Sequence, residues 1–199
     1  MRNKVAVKKK VVVFFGLIAS GKSFAAKGWA KRHNFPYCNT DVVRKQLFGM
    51  KTCMSGAVLI AQDIYSPAFT RLTYDAVLDF AEKALANSAV SCVVLDGSYQ
   101  ARAERERVQS RFEGRADIVF VLCSCSEEVV KARLAKRALE PAAVSDGNWT
   151  IYLRQKEVFE HPDGMSVGLI RRFDTEQTES ELMASLDNLL QNKPEVKEG

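Results

Sequence analysis

The stretch GLIASGKS at residues 16–23 fits the pattern G-x-x-x-x-G-K-[ST] without a mismatch and directly follows the apolar run Lys10–Phe15. A strand, a glycine-containing loop and a helix in this order let backbone N–H groups surround phosphates at the positive end of the helix dipole. In this pattern Lys22 reaches the β- and γ-phosphates and the Ser23 hydroxyl binds Mg²⁺. A simple glycine turn is the alternative. It would not explain why all four specified positions match the pattern and why a strand and a helix flank the loop as the pattern requires. The sequence therefore predicts a bound nucleoside triphosphate, taken here as ATP with Mg²⁺.

The loop and the first helical turn supply the predicted nucleotide-binding residues. These are Gly16, Ala19, Ser20, Gly21, Lys22, Ser23 and Phe24.

The basic residues before the first apolar run superficially resemble a secretory signal. However, the run ends at the Gly21-Lys22 pair with no small-residue cleavage site after it. It is also shorter than the roughly 20 apolar residues that cross a bilayer. We therefore expect a cytoplasmic protein without a membrane partner.

Composition favours one globular domain over residues 1–199, because 47% of the residues are hydrophobic, 27% are charged and no linker or repeat interrupts them. The five cysteines are odd in number and contain no C-x-x-C pair, which favours reduced buried thiols over metal ligands. The net charge of +5 is mild and suits an anionic partner, with nucleic acid possible as a substrate. The chain has only two histidines, which argues against a histidine-centred mechanism.

Strand-like and helix-like segments alternate along the chain, which predicts a parallel α/β sheet with helices on both faces. The predicted strands cover 10–15, 37–39, 91–95, 117–123 and 167–173. The predicted helices cover 21–33, 41–48, a region up to 87 that Pro67 interrupts, 100–111, 127–139, 149–160 and 178–190. A loop is expected at 49–56, a small lid at about 136–150 and acceptor-side helices at about 41–87.

Asp96 ends the apolar run of the third predicted strand, where a second ligand of Mg²⁺ is placed in phosphoryl-transfer proteins. An acid at this position could instead cap the following turn. Because a phosphate-binding loop is already present, we favour the metal role and predict Ser23 and Asp96 as metal-binding residues.

Asp41 and Arg44 lie three residues apart at the start of the helix after the second strand, so both fall on one helix face. Substrates of open α/β sheets bind at the carboxyl ends of the strands. A carboxylate there can accept the proton of an attacking hydroxyl, and an arginine can bind an anionic acceptor. The alternative is a helix cap, with Thr40 or Asp41 as the cap residue, next to a surface ion pair.

Arg133 and Arg137 lie one helical turn apart before the predicted lid loop. Cations there can neutralise the charge that spreads over the γ-phosphate, and closure of a lid can exclude water. A solvated basic helix face is the competing interpretation, and the sequence does not separate the two arginines. The predicted catalytic residues are thus Lys22, Asp41, Arg133 and Arg137.

The chain resembles a small P-loop kinase of the AAA-like predicted-kinase group, which is related to zeta toxins and polynucleotide kinases. The matching segments are GLIASGKS (16–23), TDVVRKQLFG (40–49), YSPAFTRLTYDAVLDFAEKAL (65–85), VVLDGSYQARAERERV (93–108) and SDGNWTIYLRQ (145–155). The resemblance implies a P-loop NTPase fold of the nucleotide- or shikimate-kinase type. It also implies Asp41 as the base, Arg44 as an acceptor ligand and Asp96 as the Walker-B acid, with the lid residue drawn from Arg133 and Arg137.

One departure is that Asp96-Gly97-Ser98 stands where members of this group commonly have Asp-Ala-Thr. Ser98 keeps the hydroxyl, so the substitution bears on substrate placement rather than on the reaction type.

The sequence therefore predicts an ATP-dependent kinase that phosphorylates a hydroxyl of a small molecule or of a nucleic-acid end. A regulatory or nucleic-acid-binding protein is the alternative, motivated by arginines between 102 and 111 that alternate with glutamates and favour a solvated helix. A GTP switch is disfavoured because the chain contains no D-x-x-G element.

Overall fold

The computed structural model describes residues 8–55, 64–139, 148–163 and 169–191, with the backbone alone for residues 50–55. The elements in chain order are β1 (Lys10–Phe15), α1 (Lys22–His33), β2 (Tyr37–Asn39), α2 (Thr40–Ser55), α3 (Pro67–Ala86), β3 (Cys92–Asp96), α4 (Arg102–Phe112), β4 (Asp117–Ser124), α5 (Glu127–Ala138), α6 (Trp149–Val158), β5 (Ile170–Asp174) and α7 (Glu179–Gln191).

The sheet has five strands in the order β2-β3-β1-β4-β5. Every described pairing is parallel, and β1 lies at the centre, where Val12 pairs with Val94 on one side and Val119 on the other. Strands covered on both faces need continuous apolar sequences, which the valine-rich β1 and β3 provide. The predicted α/β fold of the P-loop kinase type is confirmed.

Alternate residues of β1 enter two separate cores. Val13 and Phe15 pack with side chains of α3 and α4, such as Val77 and Val108. The intervening residues Val12 and Phe14 pack with α1 and α7 on the opposite face. Helices on both faces leave the carboxyl ends of the strands as the open edge, so a ligand site is expected there.

The predicted loop at 49–56 is wrong over residues 49–55, which continue α2. Glycine within a helix costs only about 1 kcal/mol relative to alanine, so Gly49 weakens this helix without ending it. The predicted cap of α2 is also wrong, because the N–H of Val42 donates to Oδ1 of Asn39 at 3.0 Å. Pro67 does mark a new helix, whose first turn is capped by the Ser66 hydroxyl.

Arg105 contradicts the prediction of a fully solvated α4. Its side chain is completely buried, and its guanidinium donates to the carbonyls of Tyr99 at 2.6 Å and Glu160 at 2.7 Å. Burial lowers the pKa of this guanidinium, opposed by nearby carboxylates such as Glu160. Arg105 therefore joins the loop after β3 to the segment after α6.

Several sequence predictions lie outside the described residues. They are most of the lid, at 140–147, the segment at 56–63 and nearly all of the predicted tail, at 192–199. The assignment of residues 1–199 to one domain stays a prediction. None of the described helices is both long enough and apolar enough to cross a membrane. The thiols of Cys38, Cys92, Cys123 and Cys125 are free, and no cluster of metal-binding side chains occurs within the described ranges.

Candidate nucleotide and acceptor site

The loop after β1 is held in a conformation that requires glycine at two positions. Gly16 has φ +140°, and a Cβ there would lie 2.5 Å from the carbonyl oxygen of Cys123. Gly21 has φ +80°, and its Cβ would lie 2.7 Å from Oγ1 of Thr175. L side chains rarely adopt such φ values, so the loop conformation explains the spacing of the two glycines.

A cavity of about 690 Å³ lies against this loop and the first turn of α1. Five of the predicted nucleotide-binding residues line it: Ala19, Gly21, Lys22, Ser23 and Phe24. The other two, Gly16 and Ser20, are buried and do not line it. The volume falls in the range of small-molecule and cofactor pockets.

Lys22 lies at the junction of this cavity with a second one of about 500 Å³. Its ammonium group donates to the carbonyl of Leu17 at 3.2 Å. Asp41, at the start of α2, lines the same two cavities. The predicted lysine and the predicted base are thus on the same side of the sheet. We call the larger space the nucleotide cavity and the smaller one the acceptor cavity.

Asp96 is fully buried at the carboxyl end of β3. Its Oδ2 accepts hydrogen bonds from the Tyr37 hydroxyl at 2.7 Å and from Nδ2 of Asn39 at 2.5 Å. Its Oδ1 is buried without a partner among the residues that the structure describes. One carboxylate oxygen thus orients the group, and the other keeps its capacity to accept a hydrogen bond.

Tyr37 and Asn39 were not singled out by the sequence interpretation, although both line the nucleotide cavity. Burial raises the pKa of the Tyr37 hydroxyl, and the charge of Asp96 adds to the effect, so this hydroxyl stays a proton donor. The register of β2 against β3 places Asn39 beside Asp96. Polar residues at alternate positions of a short strand were the only sequence signal for them.

Arg133 and Arg137 differ clearly. The guanidinium of Arg133 donates to the carbonyls of Ala19 at 3.2 Å and Thr175 at 2.8 Å, and to Oγ1 of Thr175 at 3.0 Å. Arg137 lines the same nucleotide cavity and has no hydrogen-bond partner within the described ranges. Arg133 therefore braces the loop, and Arg137 keeps its donors for a ligand.

Arg44 is buried at the side of the acceptor cavity. Its Nη1 donates to the carbonyl of Ile64 at 2.7 Å and to the Thr70 hydroxyl at 3.1 Å, and its guanidinium lies 5.4 Å from the centre of the Tyr65 ring. Asp41 and Arg44, both in the described part of the chain, form no salt bridge with each other. The alternative of a surface ion pair is therefore wrong.

Helix α6 contributes two cavity residues that the sequence interpretation missed. Oε1 of Gln155 accepts a hydrogen bond at 2.8 Å from the N–H of Ile18, which belongs to the phosphate-binding loop. Arg154, the preceding residue, is exposed at the acceptor cavity. Both residues lie in the segment 145–155, which resembles the kinase group, but no feature of that sequence marks them as cavity residues.

The charged residues of α4 that could have bound nucleic acid are occupied within the protein. Arg102 pairs with Glu106, Arg107 with Asp75, and Arg111 with Asp79 and Glu82. The described contacts therefore account for the arginine series without a nucleic-acid partner.

Solved structures of similar fold include a gluconokinase from Sinorhizobium meliloti 1021, with 20% sequence identity, a TM-score of 0.61, and 93% of each chain covered. An unliganded sugar kinase from Janibacter sp. shares 18% identity, with a TM-score of 0.62, and the alignment covers 92% of this chain and 95% of that one. At these identities the similarity shows the fold. No curated protein matches the sequence.

Residues 11–162 match the sequence model of a family described as an AAA domain. The matched range contains the loop at 16–23, with its two glycines of positive φ, and Asp96, and a P-loop domain implies nucleotide binding. The narrower relation to zeta toxins and polynucleotide kinases stays a prediction. The match spans more than half of the chain, which therefore belongs to this AAA domain family of P-loop proteins.

Proposed function

We propose that the protein is an ATP-dependent kinase that transfers the γ-phosphate to a hydroxyl of a small, sugar-like acceptor. One observation carries the proposal: Lys22 and Asp41 line both the nucleotide cavity and the acceptor cavity. A phosphate held by the loop would thus lie next to a carboxylate and next to an empty space of small-molecule size. The gluconokinase and the sugar kinase of similar fold support a sugar-like acceptor.

In the proposed reaction the acceptor hydroxyl attacks the γ-phosphorus of ATP. The new O–P bond forms as the bond to the β-γ bridging oxygen breaks, and ADP leaves. Asp41 takes the hydroxyl proton as general base. Lys22 leaves the carbonyl of Leu17 to bind the β- and γ-phosphates. Arg137, with no partner among the described residues, neutralises charge that develops on the transferred group.

Ser23 and Asp96 are the residues that would hold Mg²⁺. Ser23 lines the nucleotide cavity, and the buried Oδ1 of Asp96 has no partner within the described residues, which fits an acceptor for a metal-bound water. When bound, Mg²⁺ neutralises part of the phosphate charge. Tyr37 and Asn39 fix the Asp96 carboxylate through its other oxygen.

A transfer assay with radiolabelled ATP across sugars, sugar acids, nucleosides and 5′-hydroxyl oligonucleotides tests the proposal. Asp41→Asn should lower transfer by about 10²–10⁴-fold, because the general base is lost, and should leave the affinity for ATP nearly unchanged. Asp163→Asn is the matched control, since Asp163 is exposed and pairs with Arg172. Equal turnover by Asp41→Asn and Asp163→Asn would reject Asp41 as the base, and ATP binding without transfer to any of these acceptors would reject the kinase assignment.

A further inference from the structure

The wall of the acceptor cavity carries polar atoms that are buried without partners among the described residues. Oε2 of Glu104 and Oε1 of Gln100 have no hydrogen-bond partner among the described residues, and both side chains line the acceptor cavity. A buried carboxylate oxygen without a donor is costly. The ionised carboxylate of Glu104 can only accept hydrogen bonds, and the Gln100 amide can accept or donate. These atoms therefore call for a ligand that supplies hydrogen-bond donors.

The surroundings of Glu104 satisfy its carboxylate only in part. Burial raises the pKa of the Glu104 carboxyl, and the Tyr74 hydroxyl and the Arg44 guanidinium oppose this effect. The Tyr74 hydroxyl, whose hydrogen bond lowers the pKa of Glu104, is shared with other groups, since it accepts from the N–H of Tyr99 at 3.2 Å and lies 3.3 Å from the Ser98 hydroxyl. The half-buried carboxyl group thus shares the Tyr74 hydroxyl with two other groups.

The charged side chains of the acceptor cavity indicate that the ligand carries an acid group as well as hydrogen-bond donors. The ionisable acidic and basic side chains of its lining are Lys22, Arg44, Lys45, Arg154, Asp41 and Glu104. Arg154 is exposed and has no partner in the part of the chain that the structure describes. A guanidinium in that situation can bind a carboxylate or a phosphate through two parallel hydrogen bonds.

We propose that Glu104 is the specificity-determining residue of the acceptor cavity and that the acceptor is a polyhydroxy acid. One hydroxyl takes the phosphate next to Asp41, a second hydroxyl donates to Glu104, and the acid group binds Arg154 on α6. The inference deepens the proposed function, because it names the chemical class of the acceptor. A site built to receive a substrate hydroxyl strongly rejects analogues without it, since its own polar group is then left unpaired.

The test measures binding, so it does not depend on phosphate transfer. D-gluconate is titrated into the protein by calorimetry in the presence of a non-hydrolysable ATP analogue. We expect saturable binding to the wild type and a loss of about 10–100-fold in Glu104→Ala, the range for a buried hydrogen bond to a charged group. Glu106→Gln on the same helix is the matched control, because Glu106 is exposed and pairs with Arg102; its affinity should match the wild type. Affinity for the ATP analogue should be equal in all variants, which also verifies folding.

Two further probes separate the hydroxyl from the acid. Glycolate has one hydroxyl and one carboxylate, so its own dissociation constant, measured by direct titration, should be the same for the wild type and Glu104→Ala. D-sorbitol has the hydroxyls without the acid and should bind at least tenfold more weakly than D-gluconate. Failure of D-gluconate to bind the wild type, or equal affinity for wild type and Glu104→Ala, would overturn the inference. D-gluconate binding without transfer would reject the kinase proposal alone, whereas transfer to an acceptor that Glu104→Ala does not affect would reject the role of Glu104 alone.

Discussion

The phosphate-binding loop and the acceptor cavity differ in how their polar groups are held: side chains from other helices hold backbone groups of the loop, whereas the cavity wall carries buried side-chain atoms without a partner among the described residues. In the loop, Arg133 holds the carbonyl of Ala19, and Gln155 holds the N–H of Ile18. In the acceptor cavity, Glu104 and Gln100 each keep a buried atom without a partner among the described residues. The loop is thus preorganised to bind phosphates. The cavity wall has buried hydrogen-bonding atoms that only a ligand would satisfy.

The two regions also differ in their origin along the chain. The loop is a contiguous stretch after one strand, so its glycines and its lysine come from one segment, although Arg133 and Gln155 hold it from other helices. The acceptor cavity collects side chains from α2, α3, α4 and α6. A single substitution in the loop should therefore abolish nucleotide binding altogether. A single substitution in the acceptor cavity should remove only the contact that the substituted side chain makes with the acceptor.

Gly16→Ala should produce the largest effect, because the added Cβ would lie 2.5 Å from a backbone oxygen at a φ of +140°. We expect a loss of about 2–4 kcal/mol in the free energy of unfolding, from backbone strain and overpacking together. Nucleotide affinity should fall below detection. Denaturant unfolding and calorimetry measure the two quantities.

Gly49→Ala is the matched control for this substitution. A Cβ at Gly49 meets nothing within 4 Å, and the residue lies within α2. We expect a gain of about 0.5–1 kcal/mol from helix propensity. Equal stability of the two alanine variants would contradict the close approach of the loop to β4.

Substitutions of Arg133 and Arg137 should affect different measurements. Arg133→Ala removes guanidinium hydrogen bonds to the carbonyls of Ala19 and Thr175, and should cost about 2 kcal/mol of stability. Arg137→Ala should change stability by less than about 0.5 kcal/mol, as for surface substitutions, and should lower kcat by about 10²-fold through lost charge stabilisation. Thermal unfolding and steady-state kinetics provide the comparison. A stability loss in Arg137→Ala equal to that in Arg133→Ala would contradict the division of roles.

Tyr37→Phe should have the smallest effect of this series. It removes one hydrogen bond at 2.7 Å to Asp96 and leaves the bond from Asn39 in place. We expect a stability loss of about 1 kcal/mol and a rise in the Mg²⁺ concentration that half-saturates the transfer rate, by less than tenfold. Cys38, whose pKa burial raises to about 11, lies on the other face of the same strand, so Cys38→Ala should leave that Mg²⁺ requirement unchanged.

The features that the sequence predicted are those with a local signature. The loop at 16–23 and the alternation of strands and helices were predictable because each depends on neighbouring residues. Pro67 fixed the start of α3 for the same reason. Asp41 and Lys22 were expected on one side of the sheet from the order of the elements alone, and both cavities include them.

The features that were missed depend on contacts between distant segments. Asn39 caps α2 and binds Asp96 only because β2 pairs with β3 in one register. Arg105 lies in a segment where arginines and glutamates alternate, which predicts a solvent-exposed side chain. It is buried instead, and its guanidinium donates to backbone carbonyls of two loops. Glu104 has the same appearance in sequence as its exposed neighbour Glu106. Only the packing of α4 beside the acceptor cavity distinguishes them.

A crystal structure with a non-hydrolysable ATP analogue, Mg²⁺ and D-gluconate tests the central claim most directly. The account predicts the γ-phosphate at Lys22, and an acceptor hydroxyl between that phosphate and Asp41, within the roughly 2.6–3.2 Å of a hydrogen bond to the carboxylate. The Glu104 carboxylate should accept a second hydroxyl of the same molecule. A γ-phosphate at the loop with Asp41 turned away from it, and no acceptor in the cavity between them, would contradict phosphoryl transfer at this site.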